Sequence, residues 1–159
     1  MKKSTILLGL FLILSTGLNG VLIYRFIIAG DPLEITDQRT AIVLEEGERE
    51  LVLAEMRQFL VAVQGITQAS QADKMDEVAK LARAVGATAA EAVPGSVMGK
   101  LPLEFKQLGR KTHQAFDTIA LDAESLGDGA HAMEQLGKLL NNCIACHSSY
   151  QIRTAPPKI

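Results

Sequence analysis

The sequence predicts an all-α protein, an antiparallel four-helix bundle preceded by an N-terminal transmembrane helix. Three observations predict it. Tryptophan is absent and aromatic residues are only 4% of the chain, while alanine, leucine and valine abound; that balance favours helices over a sandwich or barrel. A long charge-free apolar run lies near the amino terminus. Behind it, four stretches carry apolar residues at helical spacing, separated by turn signals, with no alternating strand pattern and no internal repeat.

A chain of 159 residues is long enough for one domain with a real core and too short to expect two. Its net charge of -2 offers no basic patch of the size nucleic acid requires, so nucleic acid is not an expected partner.

The amino-terminal segment, residues 1–30, is a separate object. Lys2 and Lys3 precede a run in which no residue from Ser4 to Tyr24 is charged. At about 1.5 Å per residue this run spans roughly 31 Å, close to the hydrocarbon thickness of a bilayer. A cleaved signal peptide is the rival reading, but its apolar stretch is usually only about 7–15 residues. Ile28, Ala29 and Gly30 also make a poor cleavage site. An uncleaved anchor is therefore expected. Lys2, Lys3 and the amino terminus outweigh Arg25 on the other flank, so the positive-inside rule puts residues 31–159 outside the cytoplasm.

Residues 31–39 read as a linker, in which Pro32 breaks the anchor helix and Thr36 or Asp37 can cap the next one. Residues 40–155 then form the bundle. The first helix is expected over about 40–67: Val52, Met56, Phe59, Val63 and Ile66 step by 4, 3, 4 and 3, and Leu53 and Leu60 widen the stripe. The second opens near Asp73 and faces inward through Val78, Leu81, Val85 and Ala92. "VPGSVMGKLP" (93–102), with two prolines and two glycines, is the longest expected loop. The third helix carries Phe105, Leu108, Ala115, Phe116 and Ile119 and ends at "SLGDG" (125–129). The fourth, about 130–150, presents Met133, Leu136, Leu140, Cys143, His147 and Tyr150, and "APPKI" is a frayed tail.

The chemistry concentrates in "NNCIACHSSY" (141–150), which holds the only two cysteines, Cys143 and Cys146, with His147 directly after them. On a helix Cys143 and His147 are one turn apart with Cys146 beside them, all toward the apolar side. A structural zinc site needs four ligands, and no second Cys or His pair exists; His113 and His131 stand alone. A redox dithiol belongs at a helix start, where the dipole lowers a thiol pKa, whereas this pair sits near a helix end. C-x-x-C-H is the c-type haem attachment pattern: two thiols form thioethers and the adjacent histidine binds iron. One covalent haem c is expected on Cys143 and Cys146, with His147 as proximal ligand. Bacteria attach such haem outside the cytoplasm, so topology and motif agree although neither was inferred from the other.

A helical bundle with C-x-x-C-H in its last helix resembles the class II cytochromes c, the cytochrome c′ family. The resemblance covers roughly residues 37–153, including "LEFKQLGRKTHQAFDTI" as third helix and "GDGAHAMEQLGKLLNNCIACHSSY" as last helix. That family's motif continues to an aromatic and a basic residue. Tyr150 matches the first, Gln151 replaces the second, and Arg153 follows two residues on. The membrane anchor is a further departure. The family divides by what the first helix offers the iron's other face, and Met56 is the residue here that would serve as a soft distal ligand. A methionine on an apolar stripe also suits plain packing, and a register one turn earlier would put Leu53 over the iron instead.

His113, beside the third helix's stripe, is expected to face solvent or a haem propionate, and His131 to lie at the surface. Arg49, Arg57 and Arg110 are equal candidates for the propionates, and Met75, Met98 and Met133 read as packing or loop residues. The resemblance implies an electron carrier, not an enzyme; the expected anchor and its flanking charges make it a single-pass protein of a bacterial inner membrane with its soluble domain in the periplasm. Its partners would be redox proteins of the respiratory chain, and a homodimer is compatible with it. The alternative is a five-coordinate protein that binds or senses gases such as NO and CO. A haem-free helical interaction module is the third reading.

Overall fold

The computed structural model describes residues 2–23 and 38–154 and separates the chain into two compact units, residues 1–38 and 39–159. The linker's proposed caps, Thr36 and Asp37, and the tail at 155–159 lie outside the described residues.

In the first unit, helix α1 (Lys2–Ile23) contains an 18-residue window, Ile6–Ile23, of mean hydropathy 2.3, with none of it buried. It is long and apolar enough to cross a membrane. Two of its polar side chains bond back to the helix itself: Thr16 Oγ1 donates to the Leu12 carbonyl at 2.8 Å and Asn19 Nδ2 to that of Ser15 at 2.7 Å. Such back-bonding satisfies polar groups without water.

The second unit is mostly helical. It opens with strand β1 (Thr40–Leu44), followed by helices α2 (Glu46–Gln71), α3 (Met75–Arg83), α4 (Ala87–Ala90), α5 (Gly95–Lys100), α6 (Leu103–Leu126) and α7 (Gly129–Ser149), and ends with strand β2 (Tyr150–Thr154). The strands correct the expectation of a helix from residue 40 and of no strands. They pair in parallel, Thr40 opposite Tyr150 and Leu44 opposite Thr154. β-Branched Thr40, Ile42 and Val43 suit that geometry, and Ile42 and Leu44 are buried on one face.

Local chemistry sets the helix ends. Glu45 precedes α2, and its N–H donates to Glu48 Oε2 at 3.0 Å, half of a capping box. Asp73 adopts φ +53° in the turn before α3, a conformation Asp tolerates better than most residues. The single second helix expected from residue 73 to 92 is interrupted at Val85–Gly86, and α4 starts afresh with its Ala87 N–H donating to Asp117 Oδ2 at 2.9 Å. A side chain on Gly86 would strike that same carboxylate. The 93–102 loop contains the short helix α5 between two prolines. Gly127, at φ +64°, ends α6, and Asp128 caps α7 by accepting from Ala130 and His131 N–H.

α6 packs against α3 and α7, α2 packs against α3 and α7, and α4 lies along α6. Inside this ring Phe59, Ile66, Val78, Phe116, Ile119, Leu136 and Leu139 form the main core, with Phe59 and Phe116 stacked at 5.5 Å. A second, smaller cluster of Ile42, Leu44, Val52 and Val97 joins β1, α2 and α5, and Phe105 meets Tyr150 edge-on beside it. Three expected inward residues face out. Leu60 is 70% exposed, Ala92 is exposed, and Leu140 is 37% exposed while its neighbour Leu139 is 2% exposed. The true stripe of α7 runs Ala132, Leu136, Leu139, Cys143, rotated by one position from the expected one.

Candidate functional site

Helix α7 passes through Cys143, Cys146 and His147 and stops two residues later, so its last two turns bring these side chains onto one wall. That wall closes a cavity of about 560 Å3, within the range usual for small-molecule and cofactor sites. α2 contributes Val52, Met56 and Phe59; the 87–101 segment adds Val93, Val97, Met98 and Leu101; α6 adds Phe105, Arg110 and His113. The lining is therefore largely apolar, with Cys143, Cys146 and His147 together on α7 and His113 on α6.

Both cysteines are free thiols and half-buried, and His147 is exposed at the rim. Burial pushes the Cys143 thiol above its ordinary value. The Cys146 thiol is raised by burial too, and by the neighbouring Cys143. Thiols held protonated in this way are poor redox nucleophiles, unlike those of a catalytic dithiol. Among the described residues no three His, Cys, Asp or Glu side chains converge as a single ion would require.

Met56 lines the cavity and also packs against the main core, whereas Leu53 is not part of the lining. Of the three arginines considered for propionates, only Arg110 lines the cavity. Arg49 and Arg57 turn to Glu50, at 3.1 and 3.9 Å.

His113 corrects the expectation of a solvated side chain: it is 5% exposed, against Phe59 at 5.1 Å. Its Nδ1 lies 2.9 Å from the Val85 carbonyl, which can only accept, so Nδ1 carries a proton there. Its Nε2 then faces Glu55 Oε1 at 3.4 Å. Burial alone would disfavour the charged ring, but the Glu55 carboxylate and the Val85 carbonyl outweigh it and raise the His113 pKa. The break at Val85–Gly86 frees that carbonyl, and nothing in the sequence near His113 announces a partner 28 positions away. His131 is partly exposed and meets Asp122 at 3.2 Å.

Sequence reasoning also missed two features beside the site. Met98, taken for packing or loop, lines the cavity from α5. Arg39, assigned to the linker, donates to the His147 carbonyl at 3.1 Å, while Arg153 turns to the Gln151 side chain at 3.0 Å. No family model, curated protein or solved structure matches the chain.

Proposed function

We propose that residues 40–155 form a monohaem c-type cytochrome domain of the cytochrome c′ kind, an antiparallel four-helix bundle that passes single electrons. The carrying observation is the apolar cavity with Cys143, Cys146 and His147 on one wall and Met56 in its lining. The ring of packing among α2, α3, α6 and α7 suits such a bundle. Its residues fit a haem: an apolar space of sufficient size, two unpaired thiols, an adjacent imidazole at the rim, and a guanidinium, Arg110, available to carboxylates.

When bound, the haem supplies the one-electron ferric–ferrous couple. Cys143 and Cys146 would hold it through thioethers, and His147 would offer a ring nitrogen to its iron. Val52, Phe59 and Leu101 in the lining would shield the group from water. The helix α1 would hold the domain at the periplasmic face of a bacterial inner membrane, within reach of respiratory redox partners.

Met56 separates this reading from gas binding. Its contact with the main core already accounts for a methionine at that position, and this favours the five-coordinate alternative as a second reading. Protein made with a c-type haem maturation system should retain haem through SDS or acidic organic solvent, and Cys143→Ala or Cys146→Ala should weaken or abolish retention. Haem that extracts fully from the wild type rejects the proposal. With haem attached, a low-spin ferric spectrum that turns high-spin in Met56→Ala identifies the electron carrier. A wild type already high-spin and unchanged by Met56→Ala identifies the gas-binding protein.

A further inference from the structure

The end of α7 is held by a residue from the other end of the folded unit. Arg39 lies 108 positions before His147, and its Nη1 donates to the His147 carbonyl at 3.1 Å and to the Tyr150 carbonyl at 3.4 Å. Gln151 Nε2 donates back to the Arg39 carbonyl at 3.1 Å, and the parallel ladder begins one residue on, Thr40 against Tyr150. The final carbonyls of a helix have no donors within it and carry the negative end of its dipole, roughly half a charge. Here the Tyr150 N–H satisfies Cys146 and the Arg39 guanidinium satisfies His147. Arginine suits this place because its charge is permanent and its donors are fixed in a plane.

We infer that Arg39 is a positioning residue for His147, fixing the backbone that carries the imidazole and setting a positive charge beside the proximal ligand; the inference rests on the haem reading above. A fixed cation near the iron disfavours the ferric state more than the ferrous, so Arg39 holds the reduction potential up. The ladder and the guanidinium act separately. The strand pairing fixes the chain after α7, and Arg39 brings charge to the His147 carbonyl.

The test uses the full chain with its haem, in detergent, and measures the midpoint potential by redox titration. Haem retention on denaturing gels and the helical circular dichroism signal are read alongside. Arg39→Gln should lower the potential with haem content and helicity unchanged, and Arg39→Lys should restore most of it. Gln151→Ala, which loosens the same ladder but leaves the charge, should stay near the wild type. Arg39→Met keeps the stem's packing and serves if Arg39→Gln does not accumulate. A neutral variant with the wild-type potential overturns the inference, as does Arg39→Lys or Gln151→Ala falling as far as the neutral variant. A wild type that holds no covalent haem overturns the cytochrome reading and this inference together, whereas a haem-bearing wild type with an indifferent Arg39 overturns this one alone.

Discussion

The main core and the small β-strand cluster meet the same cavity from different sides and are built in different ways. The main core touches the cavity through Phe59, while Phe116, Ile66 and Ile119 pack among residues of α2, α3, α6 and α7. The small cluster has only Ile42, Leu44, Val52 and Val97 fully inside, and Val52, Val97, Leu101 and Phe105 turn part of their surface to the cavity. One region is filled mainly by its own side chains. The other borders a largely apolar cavity, and Cys143, Cys146 and His147 line that same cavity from α7.

The largest expected effect sharpens that difference. Phe116→Ala should cost about 3–5 kcal/mol whether or not haem is attached, because it empties a filled core. If a haem packs beside the small cluster, Leu44→Ala should cost about 2–5 kcal/mol in the haem-bearing protein and less without haem. Denaturant titrations of both forms measure this. Equal costs for Leu44→Ala in the two forms would show that the small cluster needs no ligand.

A middle-sized effect concerns the boundary between the regions, where His113 sits. Its folded pKa is raised above its unfolded value, chiefly by Glu55 and the Val85 carbonyl working against burial. The pair's stabilisation is therefore fully present below the unfolded pKa and lost as pH rises through the folded one. Unfolding free energy measured between about pH 5 and about pH 9 should fall across that window in the wild type. In His113→Gln it should be flatter. A wild-type profile with no such fall would mean that Glu55 does not hold the proton on His113.

The smallest effect lies outside both regions. Leu60 is 70% exposed despite its place beside the apolar stripe, so Leu60→Gln should change stability by less than about 0.5 kcal/mol. Ile66→Ala, one and a half turns further along α2, should cost about 2–5 kcal/mol. A large loss at Leu60 would point to a covered face on α2.

Much of the helical framework was legible because helices are encoded locally. The charge-free run to Tyr24 marks α1, the 4-3-4-3 spacing from Val52 to Ile66 marks α2, "SLGDG" (125–129) marks the break before α7, and the spacing of Cys143, Cys146 and His147 puts them on one wall. The faces of those helices were legible less well. Periodicity gives the direction of a stripe to within about one position, and a single position separates buried Leu139 from exposed Leu140.

What the sequence by itself determined, then, is part of what depends on neighbours within a turn or two: the main helical runs of α2, α6 and α7, and which residues of α7 travel together. Only the tertiary structure decided the pairing of Thr40–Leu44 with Tyr150–Thr154, the break that frees the Val85 carbonyl for His113, and the reach of Arg39 to His147. The physical reason is the range of the interactions. A helix satisfies its backbone from residues four positions away, so its signal is written in adjacent side chains. The hydrogen bonds from His113 to Val85 and from Arg39 to Tyr150 reach 28 and 111 positions along the chain, and those partners meet only once it has folded.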